Sequence, residues 1–322
     1  MENFKAMENM KRLETLCIAG AVAVLAVSCG KEEAVREDGA SKVEFTASEL
    51  QVKTVFGEKA DGEYPVLWTS NEKVALFYNS QTGGQTGGGQ YADVLPSANG
   101  HTAGFSASFT DDGNGSHSFY AMSPLSALNW MGNEDWDGNG VNEKILYANI
   151  PYDQIPVPGT CDEKAQIVFA KGEFTEFPDK VDLTFSHMTA YGLITSLSLP
   201  EEATEIVGLT IESDKFLSGE IYCNYNTPET ILCNAKKAQK YIYLDVNNGG
   251  LKAKKLENVF FACTPQTDGN DVFGEGDYLK FTVYTDTDTW GKTVNFSADR
   301  TLAFKAGHIS SFSVSAHGFE KQ

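Results

Sequence analysis

A short acidic segment in the middle of the chain has the spacing of a calcium-binding loop. Asp135, Asp137 and Asn139 alternate along it, and Gly140 stands at the sixth position, where such a loop turns sharply. The twelfth position is Leu146, although a bidentate carboxylate is expected there, and no helix pattern flanks the segment. Two interpretations stay open, a weak calcium site and an Asp/Asn/Gly turn, and the turn is favoured.

The six cysteines are the next residues that could do chemistry. They form no Cys-x-x-Cys pair and no Cys/His cluster with the spacing of a zinc site. Cys223 and Cys233 flank a turn-like stretch, residues 224–230, so in an oxidising compartment a disulfide could join them across a hairpin. The alternative is that these two, like Cys161 and Cys263, are buried thiols.

Other motifs for catalysis are missing from the sequence. The five histidines are scattered, no Gly-x-Ser-x-Gly nucleophile motif occurs, and the glycines between residues 83 and 90 lack the Lys-Ser/Thr of a phosphate loop. Nothing in the sequence brings two of the many carboxylates together as a glycosidase requires. We therefore predict a protein that is not an enzyme and needs no metal or cofactor, with residues 83–90 as a hairpin loop.

Aromatic residues suggest a binding role instead. Trp130, Trp136 and Tyr147 lie in or beside a polar segment rich in Asn and Gly, where amphipathic rings can stack on a sugar. The alternative, that these rings anchor a loop or a core, is favoured on sequence alone.

The start of the chain has the three parts of a secretory signal. Lys11 and Arg12 precede an apolar run, residues 16–27, of about a dozen residues, which is too short for a membrane-spanning helix of about 20. Ala26-Val27-Ser28-Cys29 is similar to the lipobox of bacterial lipoproteins. We predict a signal peptide of residues 1–28 and an acylated (palmitate-bearing) Cys29 that holds the chain on outer-membrane lipid.

The residues after Cys29 bear on where the protein is displayed. Lys31, Glu32 and Glu33 are similar to the surface-export signal of Bacteroidetes lipoproteins. A solvated tether is the alternative. We predict a lipidated tether over residues 29–41 and a surface-exposed position on the outer membrane.

Charge and composition limit the remaining possibilities. The formal net charge is −19, so the chain repels phosphate backbones, and we predict no nucleic-acid partner. Hydrophobic residues make up 41% of the sequence, which is enough for a packed core. The length suits one large domain or two of medium size.

Period-two alternation predicts an all-β protein. Val43, Phe45 and Ala47 alternate with polar residues, and similar runs recur between Gly, Asn, Asp and Pro clusters, while no long helix is indicated. We predict two tandem β-sandwich domains, residues 42–190 and 191–322. The further predicted strands are 73–78, 103–109, 118–122, 166–170, 181–185, 192–199, 205–212, 219–223, 240–246, 258–264, 278–285, 292–297 and 308–316.

Five short motifs, in order, resemble the fimbrillin family of Bacteroidetes, the Mfa-like and FimA-like pilins. The first strand, 43–47, is followed by a Trp, a turn, an acidic-Lys pair and a strand in residues 66–77, with Glu72 where the family usually has Asp. Residues 119–124 are similar to a family strand that ends at Pro, residues 183–190 to its Phe-x-His-x-x-Ala segment, and residues 304–309 to its Phe-x-Ala-Gly turn.

The residues in these motifs have structural interpretations. We predict that Trp68 and Phe77 are core anchors and that His187 is hydrogen-bonded near the junction of the two domains. Gly307 is expected at a turn that needs positive φ.

The resemblance implies transthyretin-like sandwiches and assembly into type V pili that support adhesion, as a structural or an accessory tip or anchor subunit. In the family, a protease removes the N-terminal segment with the first strand, here about 42–52. Another subunit then adds a strand to the groove, and the expected donor here is the segment of residues 309–319. The alternative is a surface lipoprotein that does not polymerise and binds a glycan or host ligand.

The positions for that cleavage depart from an arginine-specific pattern. Arg36 precedes the first strand, so a cut there shortens the tether without opening a groove. A cut after the strand would need Lys53 or Lys59.

Overall fold

The computed structural model describes residues 40–47, 67–70, 73–79, 83–84, 89–135, 140–228, 230–266, 272–299 and 301–322. Within these ranges the chain is all-β, and its helical content is two 3-10 turns. None of the helical segments in the described part is long and apolar enough to cross a bilayer. The strands are β1 Ala40–Ala47, β2 Lys73–Tyr78, β3 Gly83–Gly84, β4 Gln90–Asp93, β5 Leu95–Pro96, β6 Ala103–Thr110, β7 His117–Ser123, β8 Leu128–Glu134, β9 Glu143–Ile150, β10 Asp153–Gln154, β11 Val168–Phe174, β12 Lys180–Leu183, β13 Phe185–His187, β14 Ala190–Ser198, β15 Ile206–Ser213, β16 Ser218–Asn224, β17 Ile231–Gln239, β18 Tyr241–Leu244, β19 Lys255–Cys263, β20 Tyr278–Thr285, β21 Thr289–Asn295, β22 Ile309–Val314 and β23 Glu320–Lys321, and the 3-10 helices are η1 Leu125–Ala127 and η2 Glu163–Ala165.

The first sandwich packs a four-stranded sheet, ordered β12-β1-β6-β5, on a five-stranded sheet, ordered β13-β11-β7-β2-β4. Their facing side chains form one apolar cluster, the first core, to which β1 contributes Val43 and Phe45 and β7 contributes Phe119. Trp68 belongs to the same cluster, and its ring lies 4.9 Å from that of Phe185. The prediction that Trp68 is a core anchor is confirmed.

The five-stranded sheet is covered on both faces. In β2, Val74 and Leu76 face the first core, whereas Ala75 and Phe77 belong to a second cluster, the middle core. The middle core lies against a third sheet, ordered β17-β16-β9-β8-β3. Burial on both faces explains why β2 is a continuous apolar run, and it confirms Phe77 as a core residue.

The second sandwich is formed by sheets ordered β10-β18-β15-β20-β21-β23 and β19-β14-β22. A large third core lies between them, with Ile211, Phe261 and Phe281 among its buried members. Strand β22 runs parallel to β14, after a turn in which Gly307 has φ +72°. The prediction of positive φ at Gly307 is confirmed.

The division at residues 190/191 stays a prediction. Strand β14 begins there, at Ala190; the first core draws its buried residues from Val43 to Phe185, and the third core from Ala190 to Phe319. The third sheet, however, pairs β9 with β16, so it combines strands from both sides of the division.

The third sheet is also where the predicted strands were least complete. Strands β8, β9 and β17 were not predicted. Gly83 and Gly84, predicted as part of a hairpin loop, pair with Met131 and Trp130 of β8. The backbone of these two glycines therefore forms the edge strand, β3, of the third sheet.

Candidate functional site

Strand β1 occupies a central position in its sheet. It runs antiparallel to β6 from Ala40 to Ala47 and parallel to β12 from Glu44 to Ala47. Val43, Phe45 and Ala47 are buried, whereas Lys42 and Glu44 are exposed. The strand therefore fills a slot that has hydrogen-bonding partners on both sides and an apolar floor.

The expected donor segment is part of the protein's own second sandwich. Ile309–Val314 pairs with β14 as β22, Phe319 is buried in the third core, and Glu320–Lys321 pairs with β21. To act as a donor, this segment would first have to leave these contacts.

A row of apolar side chains crosses the outer face of the third sheet. Trp130 lies opposite Tyr147, Tyr147 opposite Tyr222, and Tyr222 opposite Leu232, so one residue comes from each of β8, β9, β16 and β17. The ring centroids of Trp130 and Tyr147 are 6.1 Å apart, and those of Tyr147 and Tyr222 are 5.6 Å apart. All four side chains are half-buried, which leaves part of each accessible.

Beside this row lies a buried carboxylate, Glu220, which is 3% exposed. It accepts hydrogen bonds from the side-chain amides of Asn129 and Asn234, each at 2.7 Å, and from the Lys237 ammonium at 3.0 Å. A buried charge is tolerated only when it is paired and hydrogen-bonded in this way. The Glu220 carboxylate therefore holds three polar side chains, from strands β8 and β17, in fixed positions around it.

An irregular register brings these donors to Glu220. From Gly219–Ala238 to Ile221–Cys233, β16 advances two residues and β17 advances five. The extra residues of β17 bow out of the ladder and carry both Asn234 and Lys237 to Glu220. Gly219 makes this possible because its φ is +97°, and a Cβ there would lie 2.5 Å from the Lys237 carbonyl oxygen.

The polar cluster and two of the rings line an open cavity of about 840 Å³, within the usual size range of ligand sites. Burial, followed by the hydrogen bond with Glu134, raises the pKa of Tyr147 well above its ordinary value, so its hydroxyl stays protonated. The lining residues are Asn129, Trp130, Asn133, Glu134, Tyr147, Glu220, Asn234 and Lys237.

The sequence singled out two of these residues, Trp130 and Tyr147, as a weak sugar-stacking pair. It did not identify Tyr222, Glu220 or Asn234, because only strand pairing brings them to the same face. Trp136, the third aromatic residue of the prediction, lies outside the described residues.

The calcium prediction rests largely on residues outside the described ranges. Asp137 and Asn139 lie there, while Asp135 accepts a hydrogen bond from the Gly140 backbone at 3.0 Å. This contact fits either interpretation, so the weak calcium site and the Asp/Asn/Gly turn both stay predictions.

The disulfide predicted between Cys223 and Cys233 is not formed in the structure. Cys223 lies opposite Ile231 and Cys233 opposite Ile221, so the two cysteines are diagonal neighbours. Diagonal residues in a sheet are about 7–8 Å apart, which is too far for the geometry of a disulfide.

The structure also brings together a group that the sequence did not indicate. Oxygens of Asp111 and Asp112 and a ring nitrogen of His117 lie within 4.8 Å of one another. The Tyr78 hydroxyl contacts both Asp112, at 3.0 Å, and His117, at 2.7 Å. The hydrogen bond from Asn79 lowers the pKa of Asp112 to about 2. These contacts explain the group as a network that holds the β6–β7 turn against β2.

The N-terminal processing residues cannot be placed. Cys29, Arg36, Lys53 and Lys59 all lie outside the described residues. Their roles therefore remain predictions from the sequence.

Solved structures of Bacteroidetes proteins are similar to this chain in fold. A candidate cell adhesion protein of Bacteroides ovatus is 13% identical over 89% of this chain and 97% of its own, with a TM-score of 0.48. One from Bacteroides thetaiotaomicron is 14% identical over 85% and 92%, with a TM-score of 0.42. A fimbrial assembly protein of Parabacteroides distasonis is 12% identical over 88% and 94%, with a TM-score of 0.40.

No protein-family profile and no curated protein sequence matches the chain.

Proposed function

We propose that this protein is a fimbrillin-like surface lipoprotein, a structural or accessory subunit of a type V pilus that supports cell adhesion. Its partners are other subunits, joined by strand exchange, and outer-membrane lipid, joined through Cys29. The observation that carries the proposal is the place of β1, which lies between β12 and β6 with its inward side chains in the first core. The ordered family-like motifs and the lipobox support it.

Strand exchange at this position follows from ordinary β-sheet physics. Once the chain is cut after β1, the strand is held only by noncovalent contacts. An incoming strand with the same alternation can form both hydrogen-bond ladders and fill the positions of Val43, Phe45 and Ala47. Lys53 and Lys59 are the sequence positions at which such a cut would separate β1 from the rest of the first sandwich.

Lysine-specific cleavage of the purified precursor is expected to produce oligomers that lack residues 40–47. The physical reason is that an empty slot exposes the first core, and a strand from a second subunit covers it again. Mass spectrometry locates the cut, and size-exclusion chromatography with electron microscopy follows assembly.

The matched control is the double variant Lys53→Ala/Lys59→Ala, which should keep β1 and stay monomeric under the same treatment. Monomers that persist after β1 has been lost would argue against self-assembly. Oligomers that form equally well from the uncut control would argue against a requirement for cleavage.

Acylation at Cys29 is expected to be detectable in cells. Cells fed with labelled palmitate should incorporate the label into the wild-type protein and not into Cys29→Ala, because the variant lacks the cysteine to which the lipid is attached. Label in both proteins, or in neither, would contradict the lipoprotein assignment. The N-terminus of the recovered protein then separates an uncut anchor, which begins at Cys29, from a matured pilin that begins at Thr54 or Ala60.

A further inference from the structure

The geometry points to a binding site for a neutral oligosaccharide on the outer face of the third sheet, built from the Trp130–Tyr147–Tyr222 row and the amides that surround Glu220. This site is separate from strand exchange, since β1 belongs to a different sheet. It gives the protein a ligand-binding role in addition to that of a subunit.

The shape of the row suits a chain of sugar rings. Rings on neighbouring strands repeat at about 4.8 Å, so the path from Trp130 across to Leu232 covers roughly 14 Å. Half-exposed aromatic faces can pack on the C–H faces of pyranose rings, while the polar ring edges stay wet.

The polar groups at one end of the row suit hydroxyl ligands. Amides both donate and accept hydrogen bonds, as hydroxyls do, and carboxylates accept from hydroxyls. Asn129 and Asn234 are held in place by Glu220 before any ligand arrives, which lowers the ordering cost of binding. Lys237 is 64% exposed at its side chain, although its ammonium is anchored on Glu220, so its stem forms part of the cavity wall.

The charge of the residues that line this cavity disfavours anionic ligands. Glu134 and Glu220 face one cation, Lys237, among the residues that line it. A sulfated or sialylated glycan, or a nucleotide, would bring further negative charge to a chain whose net charge is already −19. A neutral saccharide carries no such penalty.

The test uses the uncleaved precursor, so its result does not depend on polymerisation. A glycan array that contains neutral gluco-, manno-, galacto- and N-acetylglucosamine oligosaccharides beside sialylated and sulfated ones gives the ligand class. Titration calorimetry with the best neutral hit then gives its affinity. We expect neutral oligosaccharides to bind and the anionic ones not to bind.

Three variants locate the site. Trp130→Ala should weaken binding by about tenfold or more, because a stacking ring is lost. Asn129 is exposed, and Asn129→Ala should also weaken binding because an amide contact with the ligand is lost. Tyr284→Ala is the matched control, because the Tyr284 ring lies in another sheet, with its centroid 6.0 Å from that of Tyr243. This variant should bind the oligosaccharide with the affinity of the wild type. Urea unfolding of each variant shows whether the fold has been kept.

Several results would overturn the assignment. These are an array without neutral hits, binding restricted to anionic glycans, and a neutral hit whose affinity is the same in folded Trp130→Ala and Asn129→Ala. Equal losses in Tyr284→Ala and Trp130→Ala would likewise place the ligand elsewhere.

Discussion

Replacing Phe45 with alanine should lower the free energy of unfolding by about 3–5 kcal/mol. The Phe45 side chain is 2% exposed. Its ring stacks on Phe105 at 5.5 Å and meets the edges of Phe119, at 5.6 Å, and Phe109, at 6.2 Å. Alanine would leave a cavity among three rings from two sheets, which the β ladders on both sides of β1 prevent from collapsing. Urea unfolding at neutral pH measures the loss.

The matched control for Phe45→Ala is Glu44→Ala, one residue away on the outer face. Glu44 is exposed, and its ion pair with Lys42, at 3.7 Å, is solvated, so its removal should change stability by no more than about 0.5 kcal/mol. Similar losses in the two variants would show that β1 does not complete the first core. The contrast therefore tests the observation that carries the proposed function.

The same substitution connects stability with assembly. In Phe45→Ala the two hydrogen-bond ladders of β1 are kept while its largest apolar contact is lost. After cleavage, β1 should therefore leave faster, and an incoming strand with a large apolar residue at this position should replace it more completely. The rate at which β1 leaves the cleaved wild-type protein is the reference for this comparison.

Strands with an uninterrupted pattern could be predicted from the sequence almost to the residue. The prediction for 73–78 coincides with β2, and that for 278–285 coincides with β20. In both, β-branched and aromatic residues are concentrated between turn signals, so local propensity and burial favour the same structure. The all-β class follows from many such runs.

The sequence predicts β16 of the third sheet but not β8, β9 or β17, and two of these strands, β8 and β17, lack that regularity. The register of β8 shifts between Leu128 and Trp130, which interrupts alternation. Strand β17 contains one Asn, two Ala and two Lys, which are poor strand formers, and it also carries the irregular register opposite Glu220. Of its residues only Ile231 is buried in the middle core, and the strand is held mainly by its pairing with β16 and by the hydrogen bonds to Glu220.

The candidate saccharide site was hidden for the same reason. The hydrogen bond from Asn129 to Glu220 spans 91 positions of sequence, and Asn234 belongs to a strand that was not predicted. A lone Glu in a predicted strand gives no sign that it is buried and surrounded by amides. Only the pairing of β8, β9, β16 and β17 brings the rings and the carboxylate to one face.

Acidification from pH 7 to pH 4 should destabilise the protein through His187. Burial, with a smaller contribution from the charge of nearby His308, lowers the pKa of His187 to about 4. Its Nδ1 lies 2.7 Å from the Tyr191 hydroxyl, and its Nε2 has no hydrogen-bond partner among the described residues. The hydrogen bond predicted for His187 is thus confirmed, and a proton on the ring would bring a charge into an apolar site.

The sign of this stability change depends on whether the folded or the unfolded state binds the proton more readily. In the unfolded chain His187 has its ordinary pKa of about 6.5, so between about pH 6.5 and pH 4 the unfolded state binds more protons than the folded state. The stability linked to His187 is complete above about pH 6.5 and is lost as the pH falls. The loss should reach about 2 kcal/mol at pH 5 and about 3 kcal/mol at pH 4.

Comparison with His187→Asn isolates this effect from the other titrating groups. The variant loses packing at pH 7, yet it cannot take up the proton, so the stability advantage of the wild type should shrink as the pH falls. The carboxylates respond equally in both proteins. The stability linked to Asp112, whose pKa is about 2, begins to fall near the acid end of this window, and it falls equally in both proteins. Urea unfolding of both proteins at pH 7, 6, 5 and 4 gives the two curves. Parallel curves would mean that His187 binds its proton as readily in the folded protein as in the unfolded chain, and that water reaches its ring in the folded state.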